Sequence, residues 1–257
     1  MKKTKLEHLD NNLLLFTINR PDVRNAIDYD VMEGFKEAIH TVKSDVSIKG
    51  LIITGTGEEA FCSGGDLSVF HGLHTKEEAY SMLSKMGDIL FELMTLNRPT
   101  FALMNGTAVG GGCEIATACD VRIAKTSTKF GFIQGKLGIT TGWGGGTMLV
   151  EKLPYDKAYE MLYSANVYSS DEGIELGYLN KVFNEIEFRK EGINWIEELL
   201  HTSSPSVLSS YKEISVRKWT ASNLKTRMNA EIKQCSILWE GEEHHNAVNK
   251  FLTKKDK

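Results

Sequence analysis

The chain has 257 residues, 41% of them hydrophobic and 25% charged, and a formal net charge of −4. That composition suits one large packed domain, or a domain with a smaller appendage, and excludes a disordered chain. The acidic balance leaves no whole-chain basic footprint for nucleic acid, and no apolar run approaches the roughly 20 residues of a membrane helix.

The opening MKKTKLEHLDNN has lysines but no apolar stretch before its acidic residues, so it does not read as a signal peptide. The β-formers from Leu13 to Ile18 predict a strand, broken by the loop Asn19-Arg20-Pro21-Asp22. Met32, Phe35, Ile39 and Val42 then recur at helical spacing, with Asp28 or Asp30 available as a cap. Gly50 to Thr54 reads as a second buried strand. A loop around Phe61 to Asp66 leads into a long helical pattern over 75–96, which Arg98-Pro99 ends. Strands are expected at 101–104 and 121–124, with a short helix over 115–119 between them. Beyond about residue 185 the strand signals fade. Trp195, Ile196, Leu199 and Leu200 begin a helical stretch, and Ser204-Pro205 starts another that continues as helix to Phe251-Leu252. Alternating strands and helices point to an α/β architecture. The expected division is a core over 1–197 and a C-terminal helical oligomerisation region over 198–257, with Lys254-Lys255-Asp256-Lys257 as a frayed tail. Cys62, Cys113, Cys119 and Cys235 form no CxxC pair and read as reduced thiols of a cytoplasmic protein.

Two glycine turns carry the chemical signal: Ser63-Gly64-Gly65-Asp66-Leu67 and Gly110-Gly111-Gly112-Cys113-Glu114. Glycine lets main-chain N–H groups point into a site and lets a ligand approach closely. A turn entering a helix adds unpaired N–H groups and the positive end of the helix dipole. Two such turns converging on one carbonyl make an oxyanion hole, in which one donor is worth roughly 3–4 kcal/mol of transition-state stabilisation. Each turn taken alone could equally serve close packing.

The ordered segments Asn19-Arg20-Pro21, Asn25-Ala26, Ala60 to Leu67, Arg98-Pro99, Asn105 to Glu114, Cys119-Asp120, and Gly138-Ile139 with Gly144-Gly145 resemble the enoyl-CoA hydratase/isomerase (crotonase) superfamily over essentially the whole chain. The resemblance implies a spiral of ββα units with a C-terminal helical trimerisation region, assembled as trimers or hexamers. It implies that the N–H groups of Gly65 and Gly111 bind a thioester oxygen. It also implies that Asn25, Ala26, Ser63, Gly64, Asp66 and Leu67 line a CoA pocket, with the adenine near the second of these segments.

Hydratases of this family use two glutamates. Glu114 matches the first, and Gln134 stands where the second would fall. A glutamine amide cannot exchange a proton near neutral pH, which costs a contribution of roughly 10²–10⁴-fold. Residues Ala118 to Arg122, and Gly138-Ile139 with Trp143-Gly144-Gly145 and Leu149-Val150-Glu151, resemble the ethylmalonyl-CoA decarboxylase branch. Decarboxylation of a malonyl-type thioester generates the enolate without a base to activate water. The preferred expectation is therefore a decarboxylase, with enoyl-CoA hydration or isomerisation as the alternative, and a non-catalytic binder of acyl-CoA or RNA as a reading of another class. Glu114 is the expected acid–base residue, although a first-turn glutamate is also favoured by the helix dipole. Gln134 could orient substrate or bond the backbone. Trp143 could shape the acyl pocket or pack. No metal, redox cofactor, nucleic acid or membrane is implied. Gly55-Thr56-Gly57-Glu58-Glu59-Ala60 fits a dinucleotide fingerprint formally, but no helix opens inside it.

Overall fold

A computed structural model describes residues 2–255; Asp256 and Lys257 of the expected tail lie outside the described residues. Two sheets form the frame. The larger has six strands in the order β1 (Thr4–Leu9), β2 (Leu13–Ile18), β3 (Gly50–Gly55), β5 (Thr100–Met104), β7 (Val121–Lys125) and β10 (Lys181–Phe183). Its first pair is antiparallel and the remaining pairs are parallel. The smaller sheet runs β4 (Ala60–Cys62), β6 (Thr107–Val109), β8 (Lys129–Gly131) and β9 (Tyr168–Ser169), with β4, β6 and β8 parallel and β9 antiparallel to β8.

After β1, β2 and the first helix, three successive turns of the chain each give one strand to the large sheet, one to the small sheet, and then a helical element. β3 and β4 lead to α2 (Leu67–Phe70) and α3 (Lys76–Met94); β5 and β6 lead to α4 (Gly111–Ala118). β7 and β8 lead to a 3₁₀ turn at Ile133–Leu137, then α5 (Gly145–Lys152) and α6 (Tyr155–Ser164). This is the spiral of ββα units that the resemblance implied. β2 and β3, inside the large sheet, are covered on both faces, which is why they are mostly apolar runs rather than alternating ones. α1 (Tyr29–Ser44) turns Val31, Phe35, Ala38 and Val42 inward and is capped by Asp28, whose side chain accepts from the Val31 N–H.

Three readings shift. The strand β1 was not legible, because Lys5, Glu7 and His8 interrupt its apolar positions and it lies at the edge, largely exposed. The helix expected over 115–119 starts four residues earlier, at Gly111, so the glycine turn is itself the first helical turn. The expected boundary at 197/198 falls inside α8 (Phe188–Leu200).

After α7 (Ser170–Glu175) and β10 the chain is helical: α8, α9 (Pro205–Ala221), α10 (Leu224–Trp239) and α11 (Glu242–Lys255). Ser204 caps α9, with Pro205 in its first turn. α10 lies on α3 so closely that a Cβ on Gly87 would sit 2.3 Å from Ile232 Cδ1. Among the described residues no helix is long and apolar enough to cross a membrane.

Candidate active site

β4, β6 and β8 are parallel neighbours, so the loops leaving their carboxyl ends emerge side by side. From β4 comes Ser63 to Asp66, from β6 comes Gly110 into α4, and from β8 comes the 3₁₀ turn bearing Gln134. The carboxyl edge of parallel strands is where α/β folds place ligands. A cavity of about 970 Å³ opens there, bordered by Gly65, Gly111, Glu114, Gln134 and Trp143 among others.

The glycines are sterically required. Gly64 (φ 96°) and Gly110 (φ 56°) adopt left-handed conformations. A Cβ on Gly64 would lie 3.1 Å from the Gly111 nitrogen, which brings the two turns together. A Cβ on Gly112 would lie 2.0 Å from the Cys62 carbonyl oxygen, so only glycine lets α4 start against β4. The N–H groups of Gly65 and Gly111 donate to no backbone acceptor among the described residues. Both glycines border the cavity, and the Trp143 indole covers them. A Cβ on Gly111 would meet Trp143 Cζ3 at 2.2 Å, and one on Gly65 would lie 3.7 Å from Cζ2.

Glu114 sits in the first turn of α4 but turns inward and is 2% exposed. Its carboxylate accepts four hydrogen bonds. Oε1 takes Gln134 Nε2 at 2.9 Å and the Gly142 N–H at 3.2 Å. Oε2 takes the Trp143 and Gly145 N–H groups, both at 2.8 Å. Burial pushes its pKa up to about 7, with the charge of Glu231 adding to the rise and the backbone hydrogen bonds opposing it. A carboxyl poised there can take or give a proton at neutral pH. Gln134 is buried and its Oε1 has no partner among the described residues.

Sequence reading brought together Ser63, Gly64, Gly65, Leu67, Gly111, Glu114, Gln134 and Trp143, all of which border this cavity. Asn25, Ala26 and Asp66 lie beside it without lining it. The Asn25 amide points inward, donating to the carbonyls of Thr56 (3.0 Å) and Ala60 (2.7 Å), and Arg24 borders the cavity in its place. Ala26 is buried beside it. Asp66 is drawn away by Arg20 at 2.7 Å and caps α2 through Ser68. Sequence reading missed the three loop N–H groups on Glu114, although Gly144-Gly145 had stood out as a family marker. It also missed the apolar wall of Phe70, Met82 and Leu83 from α2 and α3.

A sequence profile described as "Enoyl-CoA hydratase/isomerase" matches residues 8–257. The chain belongs to that family. Among relatives of this enoyl-CoA hydratase/isomerase family member, a crotonyl-CoA hydratase of Syntrophomonas wolfei is 30% identical over 247 residues, covering 96% of this chain and 94% of the relative. An ethylmalonyl-CoA decarboxylase of Bos taurus is 29% identical over 246 residues, covering 95% and 79%. The crystal structure of an enoyl-CoA hydratase from Mycobacterium avium subsp. paratuberculosis K-10 superposes with a TM-score of 0.85 at 22% identity, covering 98% and 96% of the two chains. The family member is accordingly an acyl-CoA enzyme.

Proposed function

We propose that the chain hydrates a short, uncharged enoyl-CoA reversibly, with Glu114 as its single proton carrier. The observation that carries this reading is a buried carboxyl, Glu114, whose pKa burial raises to about 7, on the same cavity as the free N–H groups of Gly65 and Gly111. In the forward step a water oxygen bonds to C3 as Glu114 takes its proton, the C2=C3 pair becomes the C1=C2 bond, and the carbonyl pair moves onto the thioester oxygen. That oxyanion lies between the two glycine N–H groups, each worth about 3–4 kcal/mol. The enolate re-forms the carbonyl as C2 takes the proton back from Glu114. Water adds across the double bond and Glu114 ends as it began. The orphaned Gln134 Oε1 is an acceptor suited to orienting that water, a role an amide fills without exchanging protons.

Hydration is preferred to the decarboxylation expected from sequence for two reasons. The relative quoted at 30% identity is named for hydration. The cationic side chains on the cavity, Arg24, Lys129, Lys136 and Lys250, are all exposed, which suits CoA phosphates but leaves a substrate carboxylate facing Glu114 uncompensated. Decarboxylation remains the second reading on one observation, that the second acid position is an amide. The deciting assay compares crotonyl-CoA with methylmalonyl-CoA and ethylmalonyl-CoA. Water addition to the first, abolished by Glu114→Gln, supports the proposal. Release of carbon dioxide from a malonyl thioester, with crotonyl-CoA untouched, overturns it in favour of the second reading. On α9 the side chains of Val207, Tyr211 and Ile214 are exposed at 44%, 68% and 64%. Assembly into a trimer, or a pair of trimers, would cover that apolar face.

A further inference from the structure

The loop that feeds hydrogen bonds to Glu114 is gripped from behind by a second carboxylate, Glu231 of α10. Gly142, Trp143 and Gly145 send their N–H groups to Glu114. The next residues send theirs the other way: Gly146 N–H donates to Glu231 Oε1 at 3.0 Å and Thr147 N–H to Oε2 at 2.7 Å. The hydroxyls of Thr141 and Thr147 also donate to Glu231. The first turn of α5 is therefore divided between two carboxylates, one peptide apart. Both glycines are needed for that division. A Cβ on Gly145 would strike Glu114 Cγ at 2.3 Å, and one on Gly146 would lie 2.9 Å from Thr141 Oγ1. α10 holds the loop at a further point, where Cys235 Sγ donates to the Thr140 carbonyl at 3.3 Å. The helix itself is fixed on α3 through Ile232 and Gly87.

We infer that Glu231 is a positioning residue for Glu114: it fixes the 141–147 loop so that three main-chain N–H groups converge on the proton-carrying carboxylate. The inference rests on the reading of Glu114 given above. Glu231 does not border the Glu114 cavity; it faces a separate one behind the loop, which Gln134 also borders. It acts through the peptide chain and through its charge. The other groups around Glu114 leave that charge exceptional. Cys113, beside it on α4, is pushed up to about 12 by burial, and burial pushes Cys235 of α10 higher still, so both stay thiols. Burial pulls the pKa of His244 of α11 down and so disfavours its charged form. Gln134 is neutral, α3 presents Met82 and Leu83, and Glu243 of α11 is exposed to solvent. A negative charge behind the loop disfavours ionisation of Glu114, so removing it makes Glu114 a stronger acid.

The test uses the full chain as wild type, Glu231→Gln and Glu231→Ala. The Glu114 carboxyl is followed by ¹³C NMR in glutamate-labelled protein and assigned by its loss in Glu114→Gln. In Glu231→Gln the Glu114 titration midpoint should move to lower pH by about 0.5 or more, the size expected of one charge at an effective protein dielectric. In Glu231→Ala, which also frees the loop, kcat should fall roughly 10–100-fold, with KM little changed, the usual cost of a misplaced catalytic group. Should Glu231→Ala fail to fold, the near-isosteric Glu231→Gln still gives the answer. An unmoved Glu114 titration in Glu231→Gln overturns the inference, as does an unchanged kcat in folded Glu231→Ala. Full activity of Glu114→Gln would instead refute the proton-carrier reading, and the NMR titration reports on Glu231 either way.

Discussion

Replacing Glu114 by Gln removes the buried carboxyl while keeping its shape, and its effect on stability should depend on pH in a calculable way. Burial holds the folded-state pKa near 7 against an ordinary 4.5. Between those values the folded protein keeps the proton that the unfolded chain has released. The unfolded state then binds fewer protons, so this group's contribution makes stability fall as pH rises. The side chain is 2% exposed, so no solvent discount applies. The penalty is smaller at pH 5 and near its plateau at pH 8; at 1.36 kcal/mol per pH unit the difference is on the order of 2–3 kcal/mol. Urea unfolding of both proteins at the two pH values gives the comparison. The wild type should lose roughly 2–3 kcal/mol relative to the variant between pH 5 and pH 8. Any fixed cost of the new amide among the loop N–H groups cancels in that difference. Parallel stability profiles would show that Glu114 titrates alike in the folded and unfolded chain, and the account of a proton carrier tuned by burial would be refuted.

Gly111→Ala should cost roughly 1–3 kcal/mol in thermal or urea unfolding, because its Cβ would meet the Trp143 ring at 2.2 Å. The same variant displaces one oxyanion donor and should lower kcat about 10²–10³-fold; in a Trp143→Ala background the unfolding cost should shrink, as a double-mutant cycle would read. Gln134→Glu places a second carboxyl where Nε2 now lies 2.9 Å from Glu114, so the pair should share one proton and hydration of crotonyl-CoA should rise; an unchanged or lower rate would count against Gln134 as the empty acid position. Lys136→Glu should raise KM for the thioester with kcat unchanged, and the effect should weaken as salt is added.

The parts of this site legible in the sequence are those where the main chain must pass another atom too closely for a side chain. Gly64 and Gly112 are such places, Gly110 adds a left-handed φ of 56°, and their local clustering exposed both turns. Glu114 was legible because it stands two residues after a glycine run. The start of α4 was misplaced because glycine is a poor helix former, and here tertiary packing against β4 overrides that preference. The role of the Asn25 side chain was not legible, because a polar side chain in a loop looks free to meet ligand; only the fold shows its amide donating to the Thr56 and Ala60 carbonyls. Glu231 had no local signal at all. It is one glutamate on a helix rich in polar residues, and its partners lie 84 to 90 positions earlier.

The four donors on Glu114 set a condition on its chemistry. A carboxylate whose oxygens are each held by two N–H groups must release one of them to bond a proton. Three of the four belong to the main chain of the 141–147 loop, which Glu231 and Cys235 hold in place. The fourth, Gln134 Nε2, is on a side chain that can turn about its own bonds. Turning the amide over withdraws the donor and presents Oε1, which is otherwise without a partner, to the new O–H. A glutamine beside Glu114 therefore serves both protonation states with one group: it donates to the carboxylate and accepts from the acid. A second glutamate would instead add a like charge that must itself be neutralised. The rigid loop fixes where the proton is held, and the amide is the part of the shell free to follow it.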